Sequence, residues 1–183
     1  MAVALLIAAL RTGFMPPQAR GHAGQASLGP VLRAYFRITA AMGLGLIVLA
    51  PVLAGPLLRV SYGVRYEAAA PALRLLLVSS GVMCFSSYFG SNLLVAGRQG
   101  QYLRATIAGA VLNVTLNLVA IPAFGLTGAA AVTLLSELLV CVLVARAGRD
   151  LPNPRPLPAL APYALTSIGL AAVVLLAVGA SGL

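Results

Sequence analysis

Three polar side chains that could contact a transported proton, ion or substrate lie within long apolar stretches. Asn113 and Asn117 are four residues apart, so a helix would present both on one face. Glu137 follows Ser136 near the middle of another apolar stretch. A charged group at the centre of a membrane costs about 2.5–3.5 kcal/mol on insertion scales, which makes such a carboxylate a functional candidate by default.

Each of these residues has two interpretations. Glu137 would carry a proton, bind a cation or pair with an arginine, or it would join two helices through a hydrogen bond. Asn113 and Asn117 would hydrogen-bond to a neighbouring helix or line a hydrated cavity, because an unsatisfied polar group in hydrocarbon costs several kcal/mol. All three are therefore candidates for a substrate or ion pathway.

Four arginines are candidates for contacts with phosphate. Arg33 and Arg37 are four residues apart and face the same way where an apolar stretch begins, and Arg98 and Arg104 precede another such stretch. A guanidinium group binds phosphate through two parallel hydrogen bonds, so these residues could hold the phosphate of a lipid-linked substrate. The alternative is that they anchor helices to anionic lipid headgroups.

Residues for catalysis or for holding a metal are not evident in the sequence. It contains no Walker loop, Rossmann fingerprint, nucleophile elbow or zinc-binding helix. There are three acidic residues and one histidine, so general acid–base chemistry lacks its usual groups. We therefore predict a protein that is not an enzyme, with no cofactor and no metal site.

The composition excludes a water-soluble domain. Of the 183 residues, 61% are hydrophobic and 8% are charged, and the mean hydropathy is +1.01. Soluble domains have roughly 25% charged residues. The net charge of +9 comes from arginines that are not interleaved with aromatic residues, so we predict no nucleic-acid partner. The remaining class is a multi-span, all-α membrane protein whose first partner is the lipid bilayer.

Uncharged stretches of about 20 residues, the length at which a helix crosses the hydrocarbon core, predict five spans. One uncharged stretch, 105–136, is too long for one span, and Pro122 and Gly125 divide it. The predicted core, 35–150, therefore has four helices, and a linker at 151–159 and a last transmembrane helix at 160–183 follow it. The four core spans are expected near 36–58, 72–96, 103–121 and 125–146.

The first residues need a separate explanation. Ten apolar residues precede Arg11, and Pro16 and Pro17 follow soon after. A signal peptide would have its positive charge before the apolar stretch instead of after it. We favour an interpretation in which 1–17 is the remnant of a transmembrane helix and 18–34 is a cytoplasmic loop.

The distribution of arginines predicts the orientation. Nine arginines lie in one set of loops, and only Arg59, Arg65 and Arg74 lie in the opposite set. Because cytoplasmic loops have an excess of basic residues, the first set is expected in the cytoplasm. The predicted location is the inner (cytoplasmic) membrane, with several spans.

An ordered series of motifs resembles the C-terminal half of bacterial polysaccharide flippases. These belong to the multidrug/oligosaccharidyl-lipid/polysaccharide exporter superfamily. The resemblance covers roughly residues 12–150, including prolines 16, 17 and 51 and the SYG turn at 61–63. The central motifs are NLLVAGRQ at 92–99, NVTLN at 113–117, IPAFGLTGAA at 121–130 and LSE at 135–137.

The resemblance implies a polytopic transmembrane helix bundle that is a partial lobe of a MATE-like transporter fold. It also implies movement of lipid-linked oligosaccharide, coupling to an ion gradient, and a complementary N-terminal lobe as partner. Two alternatives remain open. One is a multidrug or cation antiporter lobe of the same fold, with ion dependence centred on Glu137. The other is a truncated membrane remnant that transports nothing.

Overall fold

The computed structural model describes residues 2–23 and 28–151, and nearly all of them are helical. The four α-helices are α1 (Ala2–His22), α2 (Leu28–Tyr62), α3 (Ala70–Val95) and α4 (Gln99–Ala147), and a 3-10 helix, Val64–Ala69, joins α2 to α3. The prediction of an all-α protein is confirmed for these residues. Apart from Leu151, the predicted linker and last helix lie outside the described residues.

Three segments are long and apolar enough to cross a membrane: Leu28–Tyr62, Val64–Val95 and Gln99–Ala147. Much of their surface is not covered by other parts of the described chain, and large apolar side chains are exposed on it. Such a surface is suited to lipid. By helix length and composition the chain is a multi-pass membrane protein, whereas the choice of the inner membrane stays a prediction.

Helix α4 reverses direction at Gly125. This residue has φ 57° and ψ −136°, a conformation that glycine adopts without the steric penalty of a Cβ. Asn113 is hydrogen-bonded to Ser136, and Gly109 lies against Val140. Residues at nearly the same sequence distance before and after Gly125 therefore meet. Helix α4 is thus a hairpin of two antiparallel arms, 99–124 and 126–147.

The start of the chain differs from the predicted boundaries. Helix α1 continues through Pro16 and Pro17 to His22, and α2 begins at Leu28. The segment 18–34, predicted as a loop, is therefore helical at both of its ends. Each proline removes one backbone hydrogen bond from α1, so packing against the bundle must compensate for two bonds.

An aromatic cluster supplies this packing where α1, α2 and α3 meet. Tyr35, Phe36 and Tyr88 are buried. Phe14 of α1 stacks on Tyr35 with ring centroids 4.8 Å apart, and the Tyr88 ring lies 5.4 Å from Tyr35 and 5.2 Å from Phe36. Aromatic pairs of this kind contribute about 0.5–1.5 kcal/mol each beyond their buried area. The cluster therefore fixes α1 on the bundle.

Helices α2 and α3 approach most closely at two buried glycines. A Cβ at Gly43 would lie 2.8 Å from the Gly81 carbonyl oxygen. A Cβ at Gly81 would lie 2.6 Å from the Gly43 carbonyl oxygen. Small residues at helix crossings let backbones touch, which supplies van der Waals contact where lipid provides no hydrophobic driving force.

The two ends of the bundle differ in which chain segments meet there. At one end α3 ends and α4 both begins and ends, and Leu93, Ala105 and Val144 form a buried cluster. We call this the Arg98 end. The opposite end, where α2 ends and α4 reverses, is the Gly125 end.

Candidate functional site: a cavity between α1, α3 and α4

A cavity of about 500 Å³ lies between α1, α3 and both arms of α4 and is partly open to the surroundings. Apolar side chains form part of its wall, and polar side chains from three helices converge on it. The polar residues on which the functional argument depends are Arg11, Tyr102, Asn113, Thr133, Ser136 and Glu137.

Glu137 places the cavity near the middle of the membrane. With a helical rise of 1.5 Å per residue, it lies about 15 Å from Ala147 and about 18 Å from Gly125. It is half-buried and lines the cavity. The two ion pairs within the described residues, Arg59–Glu67 and Arg98–Asp150, do not include Glu137.

This position limits what Glu137 can do. A carboxylate at such depth with no ion-pair partner in the described part of the chain is suited to taking up a proton or a small cation. The described ranges bring no arginine within ion-pair distance of it, so they give no support to the predicted arginine partner. They also contain no group of three or more His, Cys, Asp or Glu residues that could hold a metal.

The two asparagines form a hydrogen-bonded chain across the α4 hairpin. Asn117 Nδ2 donates to Asn113 Oδ1 at 3.0 Å, and Asn113 Nδ2 donates to Ser136 Oγ at 3.0 Å. Ser136 Oγ in turn donates to the Thr133 carbonyl oxygen at 2.9 Å. Asn113 thus bonds to the opposite arm and also lines the cavity, whose hydration stays a prediction.

Arg11 is a cavity residue that the sequence did not reveal. It lines the same cavity as Glu137, and its Nη1 donates to the Tyr102 hydroxyl at 3.4 Å. The guanidinium carbon lies 5.8 Å from the centre of the Tyr102 ring, a cation–π distance. A positive and a negative side chain therefore line one cavity within an apolar bundle.

Arg11 belongs to the nine arginines counted for the orientation, although it lies within the predicted helix remnant 1–17. A place in a cavity does not follow from that count. Ser86 and Ser87 of α3 also line the cavity without having been predicted. Serines are common in membrane helices where helices pack closely, so their presence in α3 does not identify a cavity face.

Arg98 binds within the protein instead of facing the cavity. Its Nη1 donates to Asp150 Oδ1 at 2.8 Å and to the Ala147 carbonyl oxygen at 3.1 Å, and its Nη2 donates to Asp150 Oδ2. The hydrogen bonds between Arg98 and Asp150 raise the pKa of Arg98 and lower the pKa of the Asp150 carboxyl. The guanidinium group that was predicted to hold phosphate is thus occupied by a carboxylate. Its hydrogen bonds tie the start of α4 to the residues after the end of α4.

The other predicted phosphate contacts do not line the cavity. Arg33 and Arg37 are exposed on α2, and Arg104 is exposed on α4, all toward the Arg98 end. Their positions fit contacts with lipid headgroups at least as well as contacts with a substrate. Of the predicted site residues, the cavity brings together Asn113 and Glu137.

The chain matches no protein-family model, no curated protein and no solved structure. The geometry of the cavity therefore carries the functional argument.

Proposed function

We propose that the chain is the C-terminal lobe of a membrane flippase that moves lipid-linked oligosaccharide across the cytoplasmic membrane. The observation that supports this most is the cavity, which Arg11 and Glu137 both line and in which Glu137 lies near mid-membrane depth. Its volume of about 500 Å³ lies within the range of ligand pockets, about 300–1,000 Å³. The order of motifs between residues 92 and 137 suggests the substrate class.

In this proposal the cavity carries the polar part of the substrate while its lipid tail remains in the bilayer. Arg11 binds an anionic phosphate through its guanidinium group, which Tyr102 orients. The hydroxyls of Thr133 and Ser136 and the amide of Asn113 are donors and acceptors for sugar hydroxyls. A complementary lobe closes the other side of the cavity, and the two lobes expose it to each face of the membrane in turn.

A second candidate function, a multidrug or cation antiporter lobe of the same fold, rests on Glu137. A carboxylate that faces the cavity with no ion-pair partner in the described ranges would release a proton or cation when an organic cation binds. This function predicts dependence on protons or sodium and a preference for positively charged substrates, which the flippase function does not require.

Deletion of the gene in its own host separates the two candidates, because the chain is then tested with its natural partners. If the chain is a flippase lobe, deletion should cause loss of surface polysaccharide and accumulation of lipid-linked oligosaccharide in the inner leaflet. An antiporter lobe predicts sensitivity to cationic drugs with normal polysaccharide. If deletion changes neither property, both transport functions are refuted and the remnant interpretation is favoured.

Complementation of the deletion strain tests the cavity residues. Arg11→Gln should abolish rescue of polysaccharide export, whereas Arg20→Gln, an exposed arginine on the same helix, should rescue fully. Glu137→Gln should abolish drug resistance in an antiporter, and Glu137→Asp should retain part of it because the carboxylate is kept. Equal rescue by the Arg11 and Arg20 variants would refute the role of Arg11. Protein levels in the membrane serve as the control for folding.

A further inference from the structure

A patch of large apolar side chains at the Gly125 end is not covered by the described chain. Leu57, Val60, Tyr62, Val64 and Tyr66 are all more than half exposed, and Val60 is 80% exposed. We call these five residues the tyrosine patch. They surround the junction between α2 and the 3-10 helix, away from the cavity. The patch includes the exposed residues Tyr62 and Tyr66, whose rings are apolar and whose hydroxyls are polar, so it is suited to an interfacial partner.

The spacing of arginines along α2 gives the depth of this patch in the membrane. Residues 38–58 carry no charge, and the helical rise from Arg37 to Arg59 is about 33 Å. The hydrocarbon core is about 30 Å thick, so both arginines fit at its boundaries. The residues after Arg59 then lie in the headgroup layer, the region in which tyrosine is enriched in membrane proteins.

Local contacts hold the two tyrosines side by side. Gly63 has φ 87° and turns the chain, and the Tyr66 amide donates to the Gly63 carbonyl oxygen at 3.1 Å. The Tyr62 and Tyr66 rings have centroids 5.7 Å apart. Arg59 Nη2 pairs with Glu67 at 3.2 Å, which fastens the 3-10 helix to the end of α2. The rings are therefore presented by a fixed structure.

The charge around the patch is positive. Glu67 is the one acidic residue of the described chain at this end, and it is paired with Arg59. Arg65 and Arg74 are exposed, and neither belongs to the two ion pairs of the described residues. Positive charge beside an apolar patch in the headgroup layer complements anionic phospholipid.

We propose that the tyrosine patch, with Arg65 and Arg74, is a binding surface for anionic phospholipid headgroups that fixes the depth of the Gly125 end in the bilayer. The aromatic rings lie among the headgroups and the upper acyl chains, and the two guanidinium groups bind lipid phosphates. This surface is independent of the transported substrate, so it holds whether or not the chain is a flippase lobe.

Tryptophan fluorescence tests the depth, because the sequence contains no tryptophan and a single substitution gives an unmixed signal. The full chain with Tyr66→Trp is reconstituted into vesicles of brominated phosphatidylcholine. We expect blue-shifted emission that bromines near the headgroups quench more than bromines near the chain ends. Val111→Trp, exposed at the middle of the first arm of α4 and outside the cavity, is the matched control and should show the opposite order. Tyr62→Trp provides a second reporter for the patch.

Mixed vesicles test the charge. In vesicles of phosphatidylcholine and phosphatidylglycerol, brominated phosphatidylglycerol should quench the Tyr66→Trp emission more than an equal amount of brominated phosphatidylcholine. The enrichment should reach up to about fivefold per arginine, and Arg65→Gln with Arg74→Gln should abolish the difference. Emission that is quenched by aqueous iodide and not by brominated lipid would overturn the proposal. Equal quenching by the two brominated lipids would overturn it as well.

Discussion

Replacing Gly43 by alanine should push α2 and α3 apart. The added Cβ would lie 2.8 Å from the Gly81 carbonyl oxygen, closer than the 3.0 Å that Cβ atoms in proteins respect. It would also lie 2.8 Å from Cε2 of Phe85, but that ring can move aside, whereas the Gly81 backbone can move only with its helix. The contact with Gly81 therefore decides the result.

The expected magnitude is the balance of two terms. Overpacking at a close contact costs about 1–3 kcal/mol. Alanine stabilises a helix by about 0.5–1 kcal/mol relative to glycine, which offsets part of this cost. Gly43→Ala should therefore lower the free energy of unfolding by about 1–2 kcal/mol. Gly45, on the same helix, has no atom within 4 Å of an added Cβ, so Gly45→Ala should be neutral or stabilising by up to about 1 kcal/mol.

The chain contains its own reporter for this experiment. Cys84 is fully buried at the same crossing, so a thiol-specific reagent reaches it only when the helices separate. In a Cys141→Ala background and in mixed micelles with added dodecyl sulfate, Gly43→Ala should raise the rate of Cys84 labelling about 5- to 30-fold. Gly81→Ala should act in the same direction, because its Cβ would lie 2.6 Å from the Gly43 carbonyl oxygen. Labelling of both variants at the rate of Gly45→Ala would refute the close-contact argument.

Three further perturbations test the hairpin, the Arg98 end and the cavity. Asn113→Leu removes two hydrogen bonds of about 0.6–1.7 kcal/mol each, so dodecyl sulfate unfolding should show a loss of about 1–3 kcal/mol. The ion pair with Arg98 lowers the pKa of Asp150. The stabilisation that this pair gives the fold is therefore complete above the usual carboxyl pKa of 3.8 and is lost as the pH falls through the lowered value. Asp150→Asn should abolish this loss of stability at acid pH, measured by thermal unfolding at graded pH. A water-soluble maleimide should label Thr106→Cys in the cavity faster than Val111→Cys on the exposed surface of the same arm, and equal rates would contradict a hydrated cavity.

The local features of the fold follow directly from the sequence. The uncharged stretch 105–136 is too long for one span, and the reversal occurs at Gly125, one of the two residues expected to divide it. Glycine is favoured there because the backbone needs a positive φ. Pro122, by contrast, lies inside the first arm, where its fixed φ is compatible with a helix.

The cavity depends on contacts between helices that are far apart in the chain. Arg11 and Tyr102 are separated by most of the described sequence, and no periodicity within α1 indicates that they meet. Pro16 and Pro17 pointed to a helix end, but packing of Phe14 on Tyr35 keeps α1 helical beyond them. Glu137 and Asn113 were accessible to prediction because a polar residue in an apolar span is conspicuous by itself.

The hydrogen bond between the two arms of α4 bears on how the chain enters the bilayer during synthesis. An arm that entered lipid alone would lose the bond between Asn113 and Ser136. When both arms leave the translocation channel together, these two side chains already satisfy each other, and the energetic barrier to lipid entry falls. We therefore expect the hairpin, and not the single helix, to enter the bilayer as one unit.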